Sequence, residues 1–89
     1  MAKRGKLEIM QDILYIIQQN HNPMKITPLI RRSNLSSTRF KEYYLELLEK
    51  GLVKETSTNG NKLISLTDKG HRFLEKYKTI VSFIDEFEL

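Results

Sequence analysis

The feature that most limits how this chain can fold is the Asn59-Gly60 pair, which separates two short runs rich in aliphatic and β-branched residues. Leu52-Val53-Lys54-Glu55-Thr56 precedes it and Lys62-Leu63-Ile64-Ser65-Leu66 follows it. A type I′ turn needs two consecutive residues at positive φ, and Asn-Gly supplies them with least strain. The two runs are therefore expected to fold back on each other as a β-hairpin. Residues 57–62, Ser-Thr-Asn-Gly-Asn-Lys, are polar throughout, so the tip should project into water.

The rest of the chain carries helical periodicity. Ile9, Met10, Ile13, Leu14 and Ile17 recur on one face of a helix expected over residues 6–20, which Asn20-His21-Asn22-Pro23 ends. Met24-Lys25-Ile26 should be extended. Thr27 is expected to cap a short second helix over residues 28–32, with Pro28 at its first position. Ser33-Asn34 is expected to form a tight turn, and Asn tolerates the left-handed conformation such a turn uses. Ser36 should cap a third helix over residues 37–50, in which Phe40, Tyr43, Tyr44, Leu47 and Leu48 form an apolar stripe. Gly51 stands where a helix C-terminus wants glycine. Thr67 caps a last helix expected over residues 68–87, and Gly70 in its first turn suggests close packing on the hairpin. In that helix Phe73, Tyr77, Ile80, Ile84 and Phe87 alternate spacings of 4 and 3, the pattern of a coiled-coil seam.

With 89 residues, the chain has room for one domain and a small interior. Hydrophobic residues are 39% and charged residues 29%, which suits a folded domain rather than a disordered segment. The net charge of +4 is unevenly placed. Residues 1–72 hold 13 Lys/Arg against 7 Asp/Glu, whereas residues 73–89 hold Lys76 and Lys78 against Glu75, Asp85, Glu86 and Glu88. A positive body draws in polyanions, so nucleic acid is a natural partner. No apolar run approaches the roughly 20 residues of a membrane span, and the start lacks the pattern of a signal peptide. Together with the absence of cysteine, this suggests a cytoplasmic, nucleoid-associated protein.

The expected fold class is mainly α with a small β-hairpin. Two helices joined by a tight turn make a helix-turn-helix, and a hairpin after the third helix makes a wing. Asn34-Leu35-Ser36, Tyr44, Leu47-Leu48-Glu49-Lys50-Gly51-Leu52-Val53 and Leu66-Thr67-Asp68-Lys69-Gly70 resemble the archaeal winged helix-turn-helix family of small DNA-binding proteins. Lys6-Leu7-Glu8-Ile9-Met10 with Asp12-Ile13-Leu14 is similar to the first helix of that family. The resemblance implies a DNA-binding domain over residues 1–67 and a C-terminal helix over 68–89 that joins two copies, in such members as an antiparallel coiled coil. The dimer contacts would be Phe73, Tyr77, Ile80, Ile84 and Phe87. The partner would be double-stranded DNA, bound by a transcriptional regulator or a chromatin-type protein.

On this reading, Ser37, Thr38, Arg39 and Lys41 at the start of the third helix reach the major groove, since an α-helix fits there and its N-terminal residues meet base edges. Arg31 and Arg32 beside the turn are candidates for phosphate. Asn59, Asn61 and Lys62 would carry the wing contact. Lys3 and Arg4, with Lys6, form a basic arm that could enter a groove. Glu42, Glu46 and Glu49 suggest that the end of the third helix tilts away from the duplex.

Catalysis has little to stand on. His21 and His71 are isolated, the serines lack a nucleophile motif, and the four glycines are scattered, so neither a catalytic group nor a metal, cofactor or small-molecule substrate is expected. The rival reading is a winged helix that binds protein within a larger complex, which the three glutamates of the third helix favour.

Overall fold

The computed structural model describes residues 4–20 and 23–89. Helix α1 (Lys6–Gln19) starts after Gly5 and closes at Asn20. Strand β1 (Met24–Lys25) leads directly into α2 (Ile26–Ser33). Helix α3 (Ser37–Glu49), strands β2 (Val53–Thr58) and β3 (Asn61–Leu66), and α4 (Asp68–Glu86) complete the chain.

The expected helix pattern holds, with two corrections. First, α2 begins at Ile26 with Lys25 as its cap, so Thr27 is not the N-cap and Pro28 lies inside the first turn. Proline is tolerated there because the first four N–H groups of a helix have no intrahelical partner to lose. Second, the hairpin is longer than read from sequence. The strands continue to Thr58 and Asn61, leaving only Asn59 and Gly60 as the loop. Both have positive φ, 51° and 78°, as the two-residue turn demands.

The sheet has a third strand. Met24 and Lys25 pair antiparallel with Ile64 and Leu63, giving the order β1-β3-β2. Helix α1 is the element on which the rest is built. Ile13, Leu14 and Ile17 are fully buried, and Ile9 and Met10 nearly so, against Leu29, Phe40, Leu47 and Ile64. Burying each such side chain contributes about 1.5–3 kcal/mol, so this one helix face organises the interior.

Local chemistry sets the joints. Asn34 takes the left-handed conformation at φ 59°, and the buried Ser33 hydroxyl donates to the Ile30 carbonyl at 2.6 Å while accepting from Leu35 N–H. Thr67 Oγ1 accepts from Gly70 N–H at 3.0 Å and donates to the Gly51 carbonyl at 2.6 Å, fastening α4 to the end of α3. Thr67→Ala removes both bonds and should lower stability by about 1–2 kcal/mol, measurable by urea denaturation. An unchanged midpoint would show that α4 is held by packing alone.

Beyond Leu74, α4 leaves the core. Tyr77 is half-buried, and every residue from Lys78 to Leu89 is exposed.

Candidate nucleic-acid interface

Helix α3 is held by its inner side. Phe40, Tyr44 and Leu47 are buried, and the Ser36 hydroxyl accepts from Arg39 N–H at 3.2 Å. A helix advances about 100° per residue, so its free surface has three strips. Ser37, Lys41 and Leu45 lie on the flank facing the hairpin, where they line a common cleft with Glu55 and Lys62. Arg39 lies on the opposite flank, its guanidinium donating to the Tyr43 hydroxyl at 3.4 Å and sitting 6.0 Å from that ring's centre. Thr38, Glu42 and Glu49 occupy the strip between. Ser37, Thr38, Arg39 and Lys41 are all exposed, so the structure leaves all four accessible but sets Arg39 and Lys41 on different sides.

The glutamates are not equivalent. Glu46 is held by Lys6 at 2.7 Å and lies 3.9 Å from Lys50, so its charge is offset and α1 is tied to α3. Pairs of this kind contribute little stability, about 0–1 kcal/mol, but they remove one negative charge from the face. Glu42 and Glu49 remain exposed.

Arg31 and Arg32 are exposed at the end of α2, and the Arg32 guanidinium donates to Asn20 Oδ1. The basic arm is placed differently from its sequence reading. Arg4 folds back onto the body, pairing with Asp12 at 2.8 Å and donating to the Ser33 carbonyl at 3.0 Å. It thus braces the turn before α3. Lys6 is taken up by Glu46. Lys3 lies outside the described residues, as does His21.

In the wing, register decides direction. Directly opposed residues of an antiparallel pair share a face. Val53 faces Leu66, Glu55 faces Ile64, and Ser57 faces Lys62, so this set shares the side that buries Ile64. Lys62 therefore turns inward, 3.4 Å from Glu55, while Asn61, opposite Thr58, points the other way. Of the three wing candidates, only Asn59 and Asn61 are free of an ion pair at the outer surface.

Sequence reasoning missed Glu55 and what lies beneath it. Between α2, α3 and the hairpin is a cleft of about 310 Å³ lined by Ile26, Ile30, Phe40, Tyr44, Leu45 and Leu48. The two-residue loop was the available signal, because its register puts Glu55 on the inward face. Tyr44 is 5% exposed and stacks on Phe40, with ring centres 5.5 Å apart. Its hydroxyl is buried and faces the Glu55 carboxylate. Burial, and then the Glu55 carboxylate, push the hydroxyl well above the usual tyrosine range, so it remains a proton donor.

Of the seam positions, Phe73 packs partly against the core and stacks on Tyr77, while Ile80, Ile84 and Phe87 are exposed. Val81 and Phe83, outside the expected seam, are exposed as well. Among the described residues no group of His, Asp or Glu could hold a metal ion, and no helix is long and apolar enough to cross a membrane.

No curated protein matches the sequence significantly. Among solved structures, the chain is similar to Sso10a-2, a DNA-binding protein from Sulfolobus solfataricus, at a TM-score of 0.77 and 22% identity over 96% of this chain and 86% of that one. It is similar to AF1382 from Archaeoglobus fulgidus at a TM-score of 0.69 and 24% identity, over 94% of this chain and 91% of that one. The PcaV transcriptional regulator from Streptomyces coelicolor matches at 0.77 and 16%, over 89% of this chain and 60% of that one. The winged helix-turn-helix family profile matches residues 3–85, nearly the whole sequence. With three helices around α1, a turn through left-handed Asn34 before α3, and a hairpin wing, the chain belongs to the winged helix-turn-helix family.

Proposed function

We propose that the protein binds double-stranded DNA as a homodimer and acts as a transcriptional regulator or a small chromatin-type protein, with no catalytic activity. The observation that carries this reading is the exposed first turn of α3. Ser37, Thr38 and Arg39 are exposed at a helix N-terminus, with Lys41 one turn on and Arg31 and Arg32 beside them. Hydroxyls, guanidinium groups and a helix N-terminus all bind phosphate, and the helix itself fits the major groove. Similarity to a DNA-binding protein of Sulfolobus solfataricus and to a transcriptional regulator agrees with it. Cytoplasmic, nucleoid-associated residence follows from that function.

The dimer reading rests on α4. Its apolar positions from Tyr77 to Phe87 are symmetric about Ser82: Tyr77 and Phe87 are equidistant from it, as are Ile80 and Ile84, and Val81 and Phe83. Two such helices laid antiparallel would set Ile80 against Ile84 of the second copy and Tyr77 against Phe87. Val81 of each copy would meet Phe83 of the other beside the axis, which accounts for apolar residues outside the seam. The same arrangement lays the Lys76 and Lys78 stretch along the acidic Asp85–Glu88 stretch.

Fluorescence anisotropy of a mixed-sequence duplex across a salt series tests DNA binding. Log affinity should fall linearly with log salt, and Arg31→Gln should reduce the slope by about one phosphate contact. Arg39→Ala with Lys41→Ala should weaken binding at least about tenfold, as loss of two charged contacts implies. Absence of salt-dependent binding at low ionic strength would move the exposed Glu42 and Glu49 face to a protein partner.

A further inference from the structure

One apolar side chain of α1 is left over from the core. Leu7 is 60% exposed, although Ile9, Met10, Ile13, Leu14 and Ile17 of the same helix are buried. It borders a depression of about 220 Å³ between the start of α1 and the middle of α4, whose other walls are Phe73, Lys76, Tyr77 and Ile80. Three of those four belong to the expected seam of α4. The volume is below the about 300–1,000 Å³ typical of sites for small molecules, so a single large side chain suits it better. The rim is basic. Lys76 stands on this depression, and a neighbouring one shares Phe73 and Lys76 and adds Lys69 and Arg72. Arg72 and Lys76 have no ion pair among the described residues. A fitting occupant is therefore an apolar group flanked by carboxylates.

One stretch of this chain meets that description. Phe87 is 57% exposed and stands among Asp85, Glu86 and Glu88, none of which has an ion pair among the described residues. It cannot reach the depression of its own copy, because it closes the same helix, about 15 Å beyond Tyr77. We infer that the depression seats Phe87 of a second copy, so that α1 joins the dimer contact through Leu7. This rests on the antiparallel pairing of α4 proposed above. That pairing sets Phe87 of one copy opposite Tyr77 of the other, at the wall of the depression, and lays Glu88 opposite Lys76. The seat occurs twice by symmetry. It also brings the far end of each α4 against the helix that carries Lys6, whose ion pair with Glu46 ties α1 to α3. Each head thus rests on the other copy's helix end as well as on its own α4.

Two measurements on the full chain test this. In sedimentation equilibrium, Leu7→Ala should raise the dimer dissociation constant about tenfold, since an apolar contact is trimmed at both seats. Its far-ultraviolet circular dichroism should match wild type, because Leu7 lies outside the core cluster. The second measurement mixes chains bearing isotope-labelled leucine methyl groups with unlabelled chains. An isotope-filtered NOE spectrum should then show the Leu7 methyls in contact with the Phe87 ring of the other copy, by signals that vanish in Phe87→Leu. A dimer that shows no such contact, or that Leu7→Ala leaves unchanged, overturns the seat and leaves the antiparallel pairing standing. Contacts from Leu7 to a different residue of the second copy overturn Phe87 as the occupant. A wild-type chain that sediments as a monomer overturns the pairing itself, and the seat with it.

Discussion

Replacing Gly70 by alanine is expected to destabilise the protein by about 3 kcal/mol, and to lower its thermal midpoint by roughly 10–25 °C. A Cβ at this position would lie 2.2 Å from the Leu52 carbonyl oxygen and 3.3 Å from its carbon. Both are backbone atoms, and the same oxygen accepts from Thr67 N–H at 3.2 Å, so moving it breaks the joint between hairpin and α4. Leu66 Cδ2 closes the other side at 3.4 Å. The two closest atoms are both backbone, so relief requires α4 to lift away. Circular dichroism melting measures the effect. A midpoint equal to wild type would mean that the α4 start is not seated on Leu52 as described. Valine should be worse than alanine, because its branch adds volume to a gap already closed.

Ile84→Glu is expected to convert a dimer into monomers. If α4 pairs antiparallel, each substituted side chain faces Ile80 of the second copy, and the contact occurs twice by symmetry. A carboxylate buried there without a partner costs several kcal/mol per site, enough to abolish association at micromolar concentration. Ile80→Glu should do the same, since it removes the other half of one contact. Phe83→Glu should be milder, because its position flanks the seam. Analytical ultracentrifugation distinguishes these results from a fold defect, as does far-ultraviolet circular dichroism, which should change little: Ile84 is 39% and Ile80 56% exposed within one copy. If wild type already sediments as a monomer, the apolar tail serves another contact and the dimer reading fails. DNA binding by the monomeric variant should weaken too, because two reading heads no longer share one encounter.

The parts of this fold that sequence made legible are those set by neighbours along the chain. Asn34 and Asn59 adopt positive φ because short polar side chains tolerate it, and Ser36 and Thr67 accept from N–H groups three residues ahead. The apolar stripe of α1 reports directly on burial. What stayed hidden depends on distant pairing. Met24 and Lys25 read as extended, but two residues give no sign of which strand they join; β3 recruits them. Arg4 read as a loose basic arm because nothing nearby in sequence announces Asp12 and the Ser33 carbonyl as its partners. For the site, charge and exposure named the residues, but not their sides. Lys41 and Arg39 are two residues apart yet face different surroundings, and Lys62 looks outward in sequence while the hairpin register turns it toward Glu55. The cleft is the extreme case, since its walls come from α2, α3 and the wing together.

The long α4 also has a geometric role. It is continuous from its seat on the hairpin to its exposed end, 19 residues without a break. In a dimer built on that end, the helix fixes both the separation and the rotational phase of the two α3 helices. One residue inserted between Leu74 and Ile80 would lengthen each arm by about 1.5 Å but swing it by about 100°. Such a chain would keep its fold and its dimer and lose the alignment of its two heads on one face of a duplex, where half-sites recur about every 34 Å. A four-residue insertion would bring the phase back to within about 40° and lengthen each arm by about 6 Å. In such a dimer, rotational phase, more than arm length, is what this helix would transmit.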